Sequence, residues 1–153
     1  MKPFYLKTLI NLYPPYLGTG ISVRTLAPDF RYIRVDMKLR WFNRNYVNTH
    51  FGGSLYAMTD PFYMLMLMNI LGNRYLVWDK SANIAFVKPG KGTVSAEFRV
   101  TDEQIDQIFR ATAGGEKYLP EFTVDIRDAD QILVARVIKQ LYVRRKKDRS
   151  HPD

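Results

Sequence analysis

The stretch Ser54-Leu-Tyr-Ala-Met-Thr-Asp-Pro-Phe-Tyr-Met-Leu-Met-Leu-Met-Asn-Ile-Leu71 decides how the rest of this chain is read. It is apolar on nearly every helical face, and Gly72 stands where such a helix would end. It would make ~27 Å of helix, and a helix apolar all round has to be enclosed by other elements. Pro61 falls inside the run, so a kink or a restart is expected there. One carboxylate, Asp60, interrupts it. An Asp in such surroundings is costly unless it is paired, hydrogen-bonded or used. An N-cap for a helix restarted at Pro61 is its plain reading; work in a reaction is the other.

Immediately upstream, Asn45-Tyr-Val-Asn-Thr-His-Phe-Gly-Gly53 forms a polar loop that ends in a glycine pair. A helix starting at such a pair offers unpaired backbone N–H groups and the positive end of its dipole, which suits a developing oxyanion. Tight helix–sheet packing would also call for glycine here. Two other motifs fail on inspection. Gly52-Gly-Ser-Leu-Tyr56 lacks the closing glycine of a nucleophile elbow, and Ala85 stands where a phosphate loop before Lys91 needs its first glycine.

Around this helix the pattern is that of strands. Ile33, Val35, Met37, Leu39 and Trp41 alternate with polar partners, as do Val94, Ala96, Phe98 and Val100. Residues 21–26, 75–88, 122–126 and 131–145 supply further strands, with Ala82, Ile84 and Phe86 sharing a face. Residues 3–13 are weakly amphipathic and stopped by Pro14-Pro15. Thr101-Asp-Glu-Gln104 reads as a capping box opening a helix at about 101–113, with Ile105, Ile108 and Phe109 inward. An α+β chain of this order is satisfied by an antiparallel sheet curled around one enclosed helix, the hotdog architecture.

Composition narrows the chemistry. At 153 residues the chain fits a single domain, expected over 1–147 with a charged tail at 148–153. It has no cysteine and two histidines, His50 and His151, which excludes thiolate nucleophiles and makes a multi-histidine metal centre improbable. The net charge of +8 invites a nucleic-acid reading, but part of it lies in Arg144-Arg-Lys-Lys-Asp-Arg149, the mark of a solvated terminus. No apolar run is long enough to span a bilayer, and no signal peptide is evident, so a cytoplasmic protein is expected.

The loop and helix together resemble the hotdog thioesterase superfamily, closest to its phenylacetate-pathway type. That type carries Asn, then Gly three residues on, then His-Gly-Gly, then Asp seven beyond the second glycine. Here stand Asn45, Asn48 in place of the glycine, Phe51-Gly52-Gly53, and Asp60 in register. Phe51 occupies the place of the family histidine, and His50 lies one residue earlier. The Thr49-His-Phe-Gly-Gly-Ser54 loop is also similar to a thioesterase-like sub-branch without an assigned substrate.

The resemblance implies hydrolysis of an acyl thioester, typically acyl-CoA, in a site between two subunits. Gly53 N–H would polarise the carbonyl, Asp60 of the facing subunit would serve as nucleophile or general base, and Asn45 would orient carbonyl or water. Asn48, His50, Phe51 and Gly52 would line the substrate site. Met64, with Met58, Met66 and Met68, is either core filler or the lining of an acyl tunnel. Lys88 and Lys91 either meet CoA phosphates or form solvated surface. No metal or cofactor is expected beyond coenzyme A as part of the substrate. The expected partners are an acyl-CoA or acyl-carrier thioester and further copies of this chain, as a dimer or dimer of dimers. A non-catalytic acyl-binding module and, less favoured, a nucleic-acid-binding protein are the alternatives.

Overall fold

The computed structural model describes residues 2–147; the charged tail expected over 148–153, with His151, lies outside them. Two short helices, α1 (Pro3–Asn11) and α2 (Pro14–Thr19), precede strands β1 (Ile21–Leu26) and β2 (Tyr32–Lys38). Helices α3 (Gly52–Ala57) and α4 (Phe62–Leu71) follow, then β3 (Tyr75–Phe86), β4 (Thr93–Arg99) and α5 (Asp102–Ala111). Strands β5 (Lys117–Tyr118), β6 (Glu121–Arg127) and β7 (Leu133–Arg145) complete the chain. The strands form one antiparallel sheet in the order β1-β2-β4-β6-β7-β3, with β5 beside β7.

The sheet curls around α4, as the alternating strands require. Phe62, Tyr63, Met66 and Leu67 of α4 are buried against Val35, Phe98, Phe122 and Val124. The Phe62 and Phe98 rings lie 5.0 Å apart, Tyr63 stacks on Phe122 at 4.5 Å, and the Tyr63 hydroxyl donates to the Thr123 carbonyl at 3.1 Å. Burial pushes that phenol up to about 12. This is the hotdog arrangement.

The restart expected at Pro61 is present: the apolar run is two helices, separated by Met58-Thr-Asp-Pro61 with a cis Asp60–Pro61 bond. Several other expectations need correction, beginning with the enclosure of that run. It is enclosed on one side only: Met68 is exposed, and Met64 and Leu65 are half-buried, because a single sheet covers a single face. Pro14-Pro15 ends one helix but also opens the next, the first-turn place where a missing N–H costs nothing. Trp41 lies beyond the end of β2 and is exposed. Phe109 is exposed too, its ring tilted against that of Tyr75 with centroids 5.9 Å apart. Ala82, Ile84 and Phe86 do share a face, yet Phe86 is exposed because the edge strand has little over it. Arg144 and Arg145 belong to β7, within the strand expected over 131–145, so the basic run that starts at Arg144 is not all solvated terminus, and Arg144 donates to the Gly115 carbonyl at 2.8 Å.

The two sheet edges differ. At β1 the Asn11 amide donates to the Val23 carbonyl at 3.1 Å and accepts from its N–H at 2.7 Å, bonding the edge groups that another strand would take. The other edge, β3, is 12 residues long and carries exposed Leu76, Trp78 and Phe86.

Candidate active site

Asp60 sits in the break between α3 and α4, and its carboxylate caps neither helix. Pro61 holds the cap position of α4, with no side-chain capping bond. The carboxylate instead accepts from the ammonium of Lys139, Nζ to Oδ1 2.6 Å. The Asp60 backbone carbonyl accepts from the Tyr16 hydroxyl of α2, which fixes the turn from the other side. Burial and the neighbouring Asp60 charge push the Tyr16 phenol far above its usual range.

Lys139 is 0 % exposed while Asp60 remains 44 % exposed, so the cation is hidden and the anion is presented. The ammonium also lies 3.2 Å from Asp79 Oδ1 of β3, without hydrogen-bond alignment, and 5.5 Å from the centre of the Tyr56 ring. Burial pushes Lys139 down, but its hydrogen bond to Asp60 and the charges of both carboxylates outweigh that and leave it above the ordinary lysine value. Asp79 moves upward: burial dominates, Lys139 opposes it, and Asp60 adds to it.

Neither Lys139 nor Asp79 was singled out from sequence, although a signal for Lys139 existed. Val137, Lys139, Leu141 and Val143 occupy alternate positions of β7, so the pattern puts a lysine in a file of core residues. For Asp79 the phase of β3 changes at a bulge between Asp79 and Ser81, which period-two reading does not reveal.

The other expected residues gather elsewhere. Asn45, His50, Gly52 and Lys88 line a cavity of about 310 Å³ with Phe86 and Pro89. The Asn45 amide is spent on its own loop: it donates to Thr49 Oγ1 at 2.9 Å and accepts from the N–H groups of Val47 at 3.1 Å and Thr49 at 2.9 Å. His50 is buried, with Nε2 3.0 Å from the Gly92 carbonyl and Nδ1 without a partner among the described residues. Burial lowers its pKa, against a smaller upward effect of that carbonyl.

Asn48 has φ +61° and its N–H meets the Asn45 carbonyl at 3.0 Å, closing a turn. A left-handed position explains why glycine is usual there and why Asn can replace it. Phe51 precedes α3 and is exposed; a Cβ on Gly53 would stand 2.5 Å from its ring, and one on Gly52 3.1 Å from the Phe86 ring. Met64 is half-buried on α4. Lys88 pairs with Asp128 at 3.3 Å, and both Lys88 and Lys91 line a cavity of about 540 Å³. Asp60 belongs to none of these; it lines an apolar groove of about 710 Å³ between α1, α2 and the start of α4. Among the described residues no cluster of three His, Cys, Asp or Glu could hold a metal ion.

The model of a family described as a domain of unknown function, DUF4442, matches residues 4–143. The chain belongs to the DUF4442 family. Its sequence has no match among curated proteins. The DUF4442 chain is similar in fold to a Pseudomonas aeruginosa protein of unknown function described as a probable thioesterase: TM-score 0.80 and 20% identity, over 94% of this chain and 97% of that one. It is similar to a Haemophilus influenzae thioesterase at TM-score 0.69 and 15% identity, over 99% and 96%. The PaaI protein of the Escherichia coli phenylacetic acid degradation operon superposes with TM-score 0.63 and 15% identity, over 94% and 93%. At these identities the likeness is one of fold.

Proposed function

We propose that this protein hydrolyses acyl thioesters, with coenzyme A or a carrier arm as the leaving thiol. The observation that carries this reading is the Asp60 carboxylate, half-exposed in the lining of an apolar groove and held by a buried ammonium. Asp60 acts as nucleophile on the thioester carbonyl or as general base for water, and the first-turn N–H of Gly53 polarises the carbonyl oxygen. Lys139 positions Asp60 and does not touch the substrate. Asn45 serves by keeping the loop before α3 in shape.

Within one chain, Gly52, Asn45 and Lys88 line one cavity and Asp60 another. This division supports an active site completed by a second copy, whose Asp60 would meet the α3 end of the first. The bare β3 edge and the uncovered face of α4 supply surface for that contact. Lys88 and Lys91, beside the same loop, offer positive charge to CoA phosphates. No helix among the described residues is long and apolar enough to cross a membrane.

Free-thiol release from acetyl-, octanoyl-, palmitoyl- and phenylacetyl-CoA tests the reading, and background rates on all four would refute it. A second reading rests on Phe51 in the place of the family histidine: a module that binds acyl-CoA without cleaving it. Tight binding of a thioether analogue with no turnover of the matching thioester would select that reading.

A further inference from the structure

We propose that the groove between the α1–α2 hairpin and the start of α4 is the acyl-chain subsite, which makes the preferred substrate a thioester of a long, uncharged chain. The inference rests on the thioesterase reading for the identity of the reacting group, but its evidence is separate.

The groove holds about 710 Å³, within the usual range for small-molecule sites of roughly 300–1,000 Å³. Its walls are Leu9 and Leu12 of α1 and its cap, Pro14 and Pro15 of α2, and Ala57 and Leu65 from the central helices. Asp60 is the one charged residue in its lining among the described residues. The Tyr16 hydroxyl, one of its few polar groups, is already given to the Asp60 carbonyl. The lining therefore offers hydrocarbon along its length and a carboxylate at one place, which suits an apolar chain with one reacting end.

Leu9 and Leu12 are 62 % and 63 % exposed, although they stand on a groove wall whose other side is packed. Apolar surface left open in a concave site marks a place for an apolar ligand. The wall is also fixed in place. Leu6 and Ile10 anchor α1 in the core, Asn11 bonds both backbone groups of Val23, and Lys7 Nζ donates to the Arg24 carbonyl at 2.6 Å. A preformed wall spares the ligand the cost of ordering it. Among the described residues no cation stands in the lining, and the Lys139 ammonium is already taken by Asp60, so the groove offers a free fatty-acid carboxylate no unpaired positive partner and favours the neutral thioester.

The test uses Leu9→Glu, at an exposed position where the fold tolerates charge, and Leu65→Trp, which fills the groove. Binding of hexadecyl-CoA thioether and of CoA alone is measured by titration calorimetry, beside thiol release from acetyl- and palmitoyl-CoA. Each methylene placed in the groove should tighten binding by about fourfold until the groove is full. Both variants should weaken the thioether by at least about tenfold, leave CoA binding unchanged and keep the wild-type melting temperature. If no thioester is cleaved but the thioether binds and both variants weaken it, the hydrolase reading fails and the subsite stands. If palmitoyl-CoA is cleaved equally well by the wild type and both variants, the subsite is overturned and hydrolysis stands. Should Leu9→Glu instead change the oligomeric state seen by sedimentation without weakening the thioether, the groove is a protein contact and the proposal is overturned.

Discussion

Replacing Lys139 by Met keeps most of the side-chain volume and removes the charge that two carboxylates share. Breaking a buried ion pair from one side costs about 3–5 kcal/mol, because the remaining charge is left without compensation. Here the survivors are not fully buried. Asp60 is 44 % and Asp79 23 % exposed, so both can draw water, and Asp60 in particular regains most of its solvation. Asp79 Oδ1 is the atom that suffers, being buried, without a hydrogen-bond partner among the described residues, and deprived of the ammonium 3.2 Å away. A loss of about 2–3 kcal/mol at neutral pH follows, or roughly 5–10 °C in melting temperature for a chain of this size.

The pH dependence of that loss carries a sign. Burial already raises Asp79, and without Lys139 it is raised further. An acid raised in the folded state contributes fully below its unfolded value, about 3.9, and loses that contribution as pH rises through its folded value. The deficit of the variant should therefore be greatest at neutral pH and shrink on acidification. Denaturant titrations of wild type and Lys139→Met across that range are the assay. A deficit below about 0.5 kcal/mol at neutral pH would mean that Lys139 does not hold the two carboxylates as described. So would a deficit that grows as the solution is acidified.

Three further predictions concern the frame around the site. His50, lowered by burial, should keep its full contribution to stability above about pH 6.5 and lose it as pH falls from there toward its folded value; a His50→Gln variant melting in parallel with wild type over that interval would contradict this. Asn48→Gly should leave stability within about 0.5 kcal/mol of wild type, whereas Asn48→Val should cost about 1–3 kcal/mol, as read by chemical unfolding. Thr101→Ala, which removes one half of the reciprocal cap on α5, should cost about 1 kcal/mol without changing thiol release.

The fold was legible because its signals are periodic. Val94 to Val100 and Phe122 to Ile126 alternate cleanly and are buried as that alternation demands, and the capping box at Thr101 and Gln104 is made by both side chains. The failures fall where period and burial part company. Trp41 continues an alternation past the end of its strand, and Phe86 keeps the right phase on an edge with little above it. The apolar run read as an enclosed helix shows only that its surface must be covered, not that this chain does all the covering.

At the site, the loop and glycine pair were readable as a local unit, and so was Asp60 as a carboxylate out of place. Its partner was not. Lys139 lies 79 residues away, and the sequence records it only as one cationic position in a core-facing file. Asp79 is hidden further by the bulge that follows it. Charges paired across such distances appear when strands are set in register, which single-strand patterns do not encode.

Whether the carboxylate between α3 and α4 does the chemistry is decided by the turnover of palmitoyl-CoA with wild type and Asp60→Asn at saturating substrate. Asn keeps the shape of the side chain and removes its basicity. Turnover should fall by about a hundred- to ten-thousand-fold in the variant, with binding of hexadecyl-CoA thioether retained. Turnover by Asp60→Asn within about threefold of wild type would contradict that role for the carboxylate.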